Sequence, residues 1–164
     1  MENKVDIQLT EKDKEIIKEH VSKIESPNCY LEIGVHQGGS AIQALEAAND
    51  DVELYGVDIL NNFRLKDTRF NFINKPSVEA AIEWNKSIGV LFIDGNHDAA
   101  GEDFKTWEKF VVSDGYILMH DMAFHSPKVI KDCNIIKMDS RYEVVRIPNE
   151  TDKNTSSIFI VKKK

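Results

Sequence analysis

The chain has 164 residues, a net charge of −7 and a pI near 5.2, with 41% hydrophobic and 30% charged residues. That length suits a single domain over 1–164, and the hydrophobic share supports a packed core and excludes wholesale disorder. The acidic balance excludes the basic footprint of stable nucleic-acid binding, and no apolar run approaches the ~20 residues that span a bilayer.

Two cysteines, Cys29 and Cys133, form neither a CxxC pair nor a metal spacing. The polar start MENKVDIQLTEKDKE lacks the apolar stretch of a secretory signal. Both features predict a reduced, cytoplasmic protein.

In chain order, Thr10-Glu11-Lys12-Asp13 reads as a capping box with Thr10 as N-cap. Ile16, Ile17, Val21 and Ile24 then share one side of a helix over about 10–25, ended by Ser26-Pro27. Residues 29–33 (CYLEI) read as a buried strand and 40–48 (SAIQALEAA) as a helix. Strands follow at 52–57 and 70–73, a helix at 77–86 with Pro76 at its start, and an apolar strand at 88–93 (IGVLFI). A helix over 99–111 carries Phe104, Trp107, Phe110 and Val111 on one face. A fifth strand covers 116–119, and a short helix about 126–132. Strands at 142–147 and 157–161 close the chain as a hairpin around a turn-rich 148–155. The predicted fold class is α/β: a Rossmann-like, doubly wound, mostly parallel sheet with a C-terminal antiparallel hairpin, its core at about 28–162.

Ligands in such sheets bind beyond the carboxyl ends of the strands. There the sequence puts Glu32, Gly34, Gly38 and Ser40 after or within strand one, Asp58 after strand two, Asp94 after strand four, and His120 and Asp121 after strand five. LEIGVHQGGSA is a glycine-rich strand-to-helix turn of the kind that admits a ligand to backbone amides. It is not the G-x-G-x-x-G of a nicotinamide dinucleotide site, because His36 occupies the second glycine's place. Asp58 stands 24 residues past Gly34, where an acid can accept from both hydroxyls of a ribose. Gly95-Asn96-His97-Asp98 matches a metallophosphoesterase string. However, the further ligand strings that a two-metal site of that kind needs are absent.

Glu32-x-Gly34-x-x-x-Gly38-x-Ser40, Asp58 and the run LFIDGNHDAAGEDFKTWEKFVVSDGYILMHD resemble the class I S-adenosylmethionine-dependent methyltransferases. The nearest likeness is to the small O-methyltransferase branch, related to catechol-type and sugar enzymes, whose fourth strand ends in Ile-Asp-Gly-(Asp/Asn)-His. The resemblance implies that Glu32 lies beneath the methionine part of S-adenosylmethionine, Gly34 and Gly38 shape the loop around it, and Ser40 holds the methionine end. By the same resemblance Asp58 binds the ribose, and Ser77 either lines the adenine or caps its helix.

Asp94 would sit between cofactor and substrate, ligating Mg²⁺ or another divalent cation with Asp121, and His120 is a further ligand candidate. His97 is the candidate general base, with a structural loop histidine as the alternative. His125 is a weaker candidate on a loop. The implied reaction is O-methylation of a hydroxyl on a small molecule or sugar; the alternative is a cofactor-binding domain without independent catalysis. Met122 departs from the pattern, since catechol-type enzymes keep an amide ligand there. The 58–70 crossover is short enough to trim its usual helix to a turn or two. No long substrate-capping insertion is present, which leaves room for a homodimer that completes the site.

Overall fold

The computed structural model describes residues 8–122, 127–148 and 156–164. The strands are β1 (Cys29–Ile33), β2 (Leu54–Val57), β3 (Phe70–Ile73), β4 (Ile88–Ile93), β5 (Val111–Met119), β6 (Tyr142–Arg146) and β7 (Phe159–Lys163). They form one sheet in the order β3-β2-β1-β4-β5-β7-β6. β1 to β5 run parallel, β7 is antiparallel to β5, and β6 is antiparallel to β7. The expected doubly wound sheet with a terminal antiparallel pair is therefore the observed one. The turn expected between the last two strands falls at 149–155, outside the described residues.

The near-continuous apolar strands are explained by burial on both faces. Tyr30 and Phe92 face one core with α1 (Glu11–Val21) and α2 (Gly39–Ala47). Their neighbours Leu31 and Leu91 face the other, with α3 (Ser77–Ile82), α4 (Ala100–Trp107) and α5 (Pro127–Lys137). The capping box at the start of α1 is as expected. Thr10 Oγ1 accepts from the Asp13 amide at 3.1 Å, and Asp13 Oδ2 accepts from the Thr10 amide at 2.9 Å.

Among the element boundaries that differ from the sequence reading, three have a clear physical cause. The helix expected over 77–86 stops at Ile82, and Trp84 turns in to meet Tyr55 and Trp107 edge-on. Val111 is the first residue of β5 and not the end of a helix. Ser113-Asp114-Gly115, turn-like in sequence, forms a bulge within the strand, with Asp114 at φ 66. The last helix runs on to Lys137, because Val129, Cys133 and Ile136 keep a buried stripe at helical spacing.

The crossover between β2 and β3 contains no helix. The sheet face it leaves is covered by side chains of the crossover itself. Phe63 stacks on Phe70 at 5.2 Å and on Phe72 at 4.8 Å between ring centroids. Because Phe63 replaces a helix as cover, Phe63→Ala should lower the unfolding free energy by about 2 kcal/mol, less than a fully buried Phe because its ring is half-buried. Leu60→Ala, at an exposed position of the same segment, should change it by under about 0.5 kcal/mol. Urea denaturation of the two variants against the parent checks both.

Candidate functional site

The strand order reverses between β1 and β4: β2 and β3 extend to one side, β5, β7 and β6 to the other. The crevice at this switch point is the expected ligand site of an open α/β sheet. Gly34 leaves β1 here at φ 90, and a Cβ on it would lie 2.4 Å from the Asp94 carbonyl oxygen. Only glycine allows the two strand ends to come this close. The Asp94 amide donates to the Ile33 carbonyl at 2.8 Å, and the His120 amide to the Ile93 carbonyl at 3.0 Å. The sheet ladder thus sets the chemistry-bearing residues side by side.

Two cavities open at this edge and share Gly34. One of about 270 Å³ is bordered by Asp58, Ser77, Asn96 and Asp103. The other, about 250 Å³, is bordered by Leu9, Ser40, Asp94, His97 and Asp121.

In the first loop, His36 sits at φ 49 and Gly38 at φ 100. Asp58 holds this loop: its Oδ2 accepts from the His36 amide and its Oδ1 from the Leu60 amide, both at 2.8 Å. Each carboxylate oxygen keeps a further lone pair for a ligand hydroxyl. Glu32 is fully buried. It accepts a short hydrogen bond from the Ser40 hydroxyl and one from the Tyr30 hydroxyl at 3.1 Å. Burial pushes its carboxyl up to about 8, against the hydrogen bond from Ser40, and the Asp94 charge adds to the rise.

Across the crevice, Asp94, His97 and Asp121 each offer a ligand atom within 4.8 Å of the others. His97 Nε2 lies 2.8 Å from Asp121 Oδ2. Asp121 adopts φ 60, and its amide donates to the Ser157 hydroxyl at 3.2 Å. A non-glycine residue held in the left-handed region at a strand end marks a place where backbone comfort yields to side-chain position.

His120, a metal-ligand candidate in the sequence, lies outside this group. Its Nδ1–H donates to Asp94 Oδ1 at 3.0 Å, with Asp121 Oδ2 at 3.4 Å and, on the other side, Asp13 Oδ2 at 3.6 Å from Nε2. The last is a charge contact, too long for a hydrogen bond. Burial opposes the imidazolium, but Asp121, Asp13 and Asp94 outweigh it and hold the ring well above its ordinary pKa. Its role here is the buried countercharge of the acids.

Ser77 is the first residue of α3, whose N-cap is Pro76, so it is not the cap. Its Oγ accepts from Trp107 Nε1–H at 2.8 Å, and it borders the larger cavity. In the string Gly95-Asn96-His97-Asp98, the Asn96 side chain accepts from the Asp98 amide at 3.0 Å and caps a single turn, so only His97 reaches the cluster. His125 lies outside the described residues. Asp103 carried no motif in the sequence, and Asp13 carried only the capping box of α1. Only their burial, each at 5% exposure or less, distinguishes them from solvated helix acids.

A sequence profile described as a methyltransferase domain matches residues 31–122. Among solved structures, an SAH-bound methyltransferase of Podospora anserina aligns with a TM-score of 0.72 at 17% identity, covering 93% of this chain and 78% of that one. An O-methyltransferase of Bacillus cereus in complex with SAH aligns with a TM-score of 0.71 at 12% identity, over 98% of this chain and 83% of that one. A Corynebacterium glutamicum protein aligns with a TM-score of 0.76 at 10% identity, over 94% and 82% respectively. None of the curated protein sequences matches this chain.

The Glu32 carboxyl binds its proton more tightly in the fold than in the unfolded chain, where its value is the ordinary 4.5. Its contribution to stability is therefore complete below about 4.5 and is lost as pH rises through about 8. Each unit is worth about 1.4 kcal/mol. Between pH 5 and pH 8.5 the parent should lose at least about 2 kcal/mol more stability than Glu32→Gln, which stays neutral throughout. Denaturant unfolding of both proteins at the two pH values measures the difference; equal losses would refute a buried, protonated Glu32.

Proposed function

We propose that this chain, which belongs to the methyltransferase-domain family, is a class I S-adenosylmethionine-dependent methyltransferase of the O-methyltransferase-like kind that methylates a hydroxyl oxygen on a small molecule or sugar. The observation that carries this reading is the convergence of Asp94, His97 and Asp121 on the cavity that also contains the first-loop residues Gly34 and Ser40. Donor and acceptor would meet there. The bound cofactor supplies a methyl carbon on a sulfonium, open to in-line displacement.

The larger cavity suits the adenosyl part, with Asp58 toward the ribose. The smaller one suits the methionine end, with Ser40 fixed by Glu32 beneath it. Asp94 stands at the junction. His97 is half-exposed and paired with Asp121. If Nε2 carries the proton of that pair, Nδ1 is the open base that accepts the acceptor's hydroxyl proton, with Asp121 stabilising the imidazolium formed. Positioning across the crevice supplies the rest.

The same three residues support a second reading. Two carboxylates and an imidazole are a competent donor set for a divalent cation, the imidazole moving the preference from Mg²⁺ toward Mn²⁺ or Zn²⁺. A cation there would hold the acceptor oxygen and lower its pKa. The phosphoesterase reading loses support, because Asn96 and Asp98 serve the turn and no second ion site adjoins among the described residues. No helix among these residues is long and apolar enough to cross a membrane. Cys29 and Cys133 are free and buried, their thiols pushed up to about 12 by burial, which fits the proposed cytoplasmic location.

Titration calorimetry with S-adenosylmethionine and SAH tests the cofactor reading: micromolar or tighter binding is expected, and no heat with either ligand overturns it. With SAH release measured over a panel of catechols and sugars, His97→Ala should cut turnover by about 10²- to 10⁴-fold. Turnover that survives a chelator assigns proton removal to His97, and turnover abolished by the chelator and restored by Mn²⁺ assigns it to the cation site.

A further inference from the structure

Asp13 stands on the first turn of α1 and is 2% exposed, and the reaction proposed above gives it no part. Its Oδ2 accepts from the Thr10 amide at 2.9 Å and from the Thr10 hydroxyl at 2.7 Å, and lies 3.6 Å from His120 Nε2. Capping a helix start does not require burial, since water can serve the same amides. Here the capping carboxylate is turned inward, against a buried imidazole.

His120 continues the chain of contacts. Its Nδ1 lies 3.0 Å from Asp94 Oδ1 and 3.4 Å from Asp121 Oδ2. The same Asp121 oxygen lies 2.8 Å from His97 Nε2. Phe92 meets the His120 ring at 6.1 Å between centroids, tilted toward edge-on. Among the described residues Nε2 has no hydrogen-bond partner, and Asp13 is the carboxylate that faces it. The terminal torsion of a histidine is soft, so its ring keeps one orientation only when held from two sides. Asp94 and Asp121 hold one side and Asp13 the other. Leu9, next to the Thr10 cap, borders the smaller cavity together with Asp94, His97 and Asp121. The start of α1 therefore reaches the acceptor side of the crevice by its chain as well as by its charge.

We infer that Asp13 is a positioning residue for methyl transfer: through His120 it fixes Asp94 and Asp121, and through Asp121 it fixes the candidate base His97. The inference rests on the hydroxyl-methylation reading above. Glu32, Ser40 and Asp58 are held by partners of their own, so the effect falls on turnover and not on cofactor affinity. A displacement of about 1 Å among reacting groups can cost about 100-fold in rate.

The test compares Asp13→Asn with the parent. Asparagine keeps an oxygen for Thr10 and nearly the same shape, and removes the charge that faces His120. Turnover, read as SAH release over the panel of catechols and sugars, should fall at least about tenfold, while SAH affinity by calorimetry stays at the parent's value. Proton NMR of the parent should show a downfield, exchange-protected ring N–H that is absent from His120→Asn. In Asp13→Asn that proton should exchange with water at least about tenfold faster. His120→Asn keeps a donor for Asp94 and loses the atom that faces Asp13, so adding Asp13→Asn to it should change turnover by under about twofold. Val21→Ala, on the buried stripe of the same helix, should lower the thermal transition and keep both turnover and the ring signal. Ring protection or turnover unaltered in Asp13→Asn overturns the inference and leaves the methylation reading standing. Additive losses in the double variant overturn it as well, since Asp13 would then act by a route other than His120. A parent that turns over no member of the panel refutes the methylation reading, and this inference with it.

Discussion

The backbone of Gly34 against the backbone of Asp94 is the contact on which the site depends. Any side chain at position 34 would overlap the Asp94 carbonyl. The two strand ends can therefore close the switch point only because that side chain is missing. From this contact follow both cavities, which share Gly34, and the position of Asp94 between them. The ladder bonds from Asp94 to Ile33 and from His120 to Ile93 carry the same register across to β5. Displacing one of these strands by a residue would turn that strand's side chains to the other face.

Charge is arranged around this frame with, among the described residues, a single buried cation. Asp94 and Asp121 stand close together, and His120 lies against both while meeting Asp13 behind. Asp13 is also the acid of the capping box that starts α1. Helix α1 is thereby tied to the Asp94 and Asp121 pair through one carboxylate, and the apolar stripe of Ile17 and Val21 fixes how that helix lies on the sheet. Glu32 follows the opposite course. It has hydroxyl partners and, among the described residues, no cation, so burial pushes its carboxyl upward.

The legible parts of the sequence were those with a local signature. Apolar runs such as IGVLFI gave strands, Thr10 with Asp13 gave a cap, and acids one residue past a strand fell at the carboxyl edge. Asp94 is legible this way, whereas the roles of His97 and Asp121 come from the family resemblance, and the structure brings the three side chains together. What failed depended on distant partners. Val111 carries a helical spacing, but its pairing with Ile88 makes it a strand. For His120, a ligand candidate beside Asp121, the contact that spacing could not show is the one to Asp13, more than 100 residues earlier. Ser77 could be read as a cap because Trp107, its actual partner, is thirty residues away in sequence.

The crossover after β2 shows how a short chain keeps a full site. Without a helix there, the sheet face by β3 would be open and the first loop unsupported. The Phe63 ring covers Phe70 and Phe72, and the same ring passes under the loop, its edge 3.1 Å from where a Cβ of Gly38 would stand. The Arg64 amide also donates to the Gln37 carbonyl at 3.4 Å. One aromatic side chain thus packs the core and props the glycine loop, and Gly38 is needed as much for that packing as for its left-handed turn. The crossover needs no helix because one of its residues makes both contacts, to sheet and to loop.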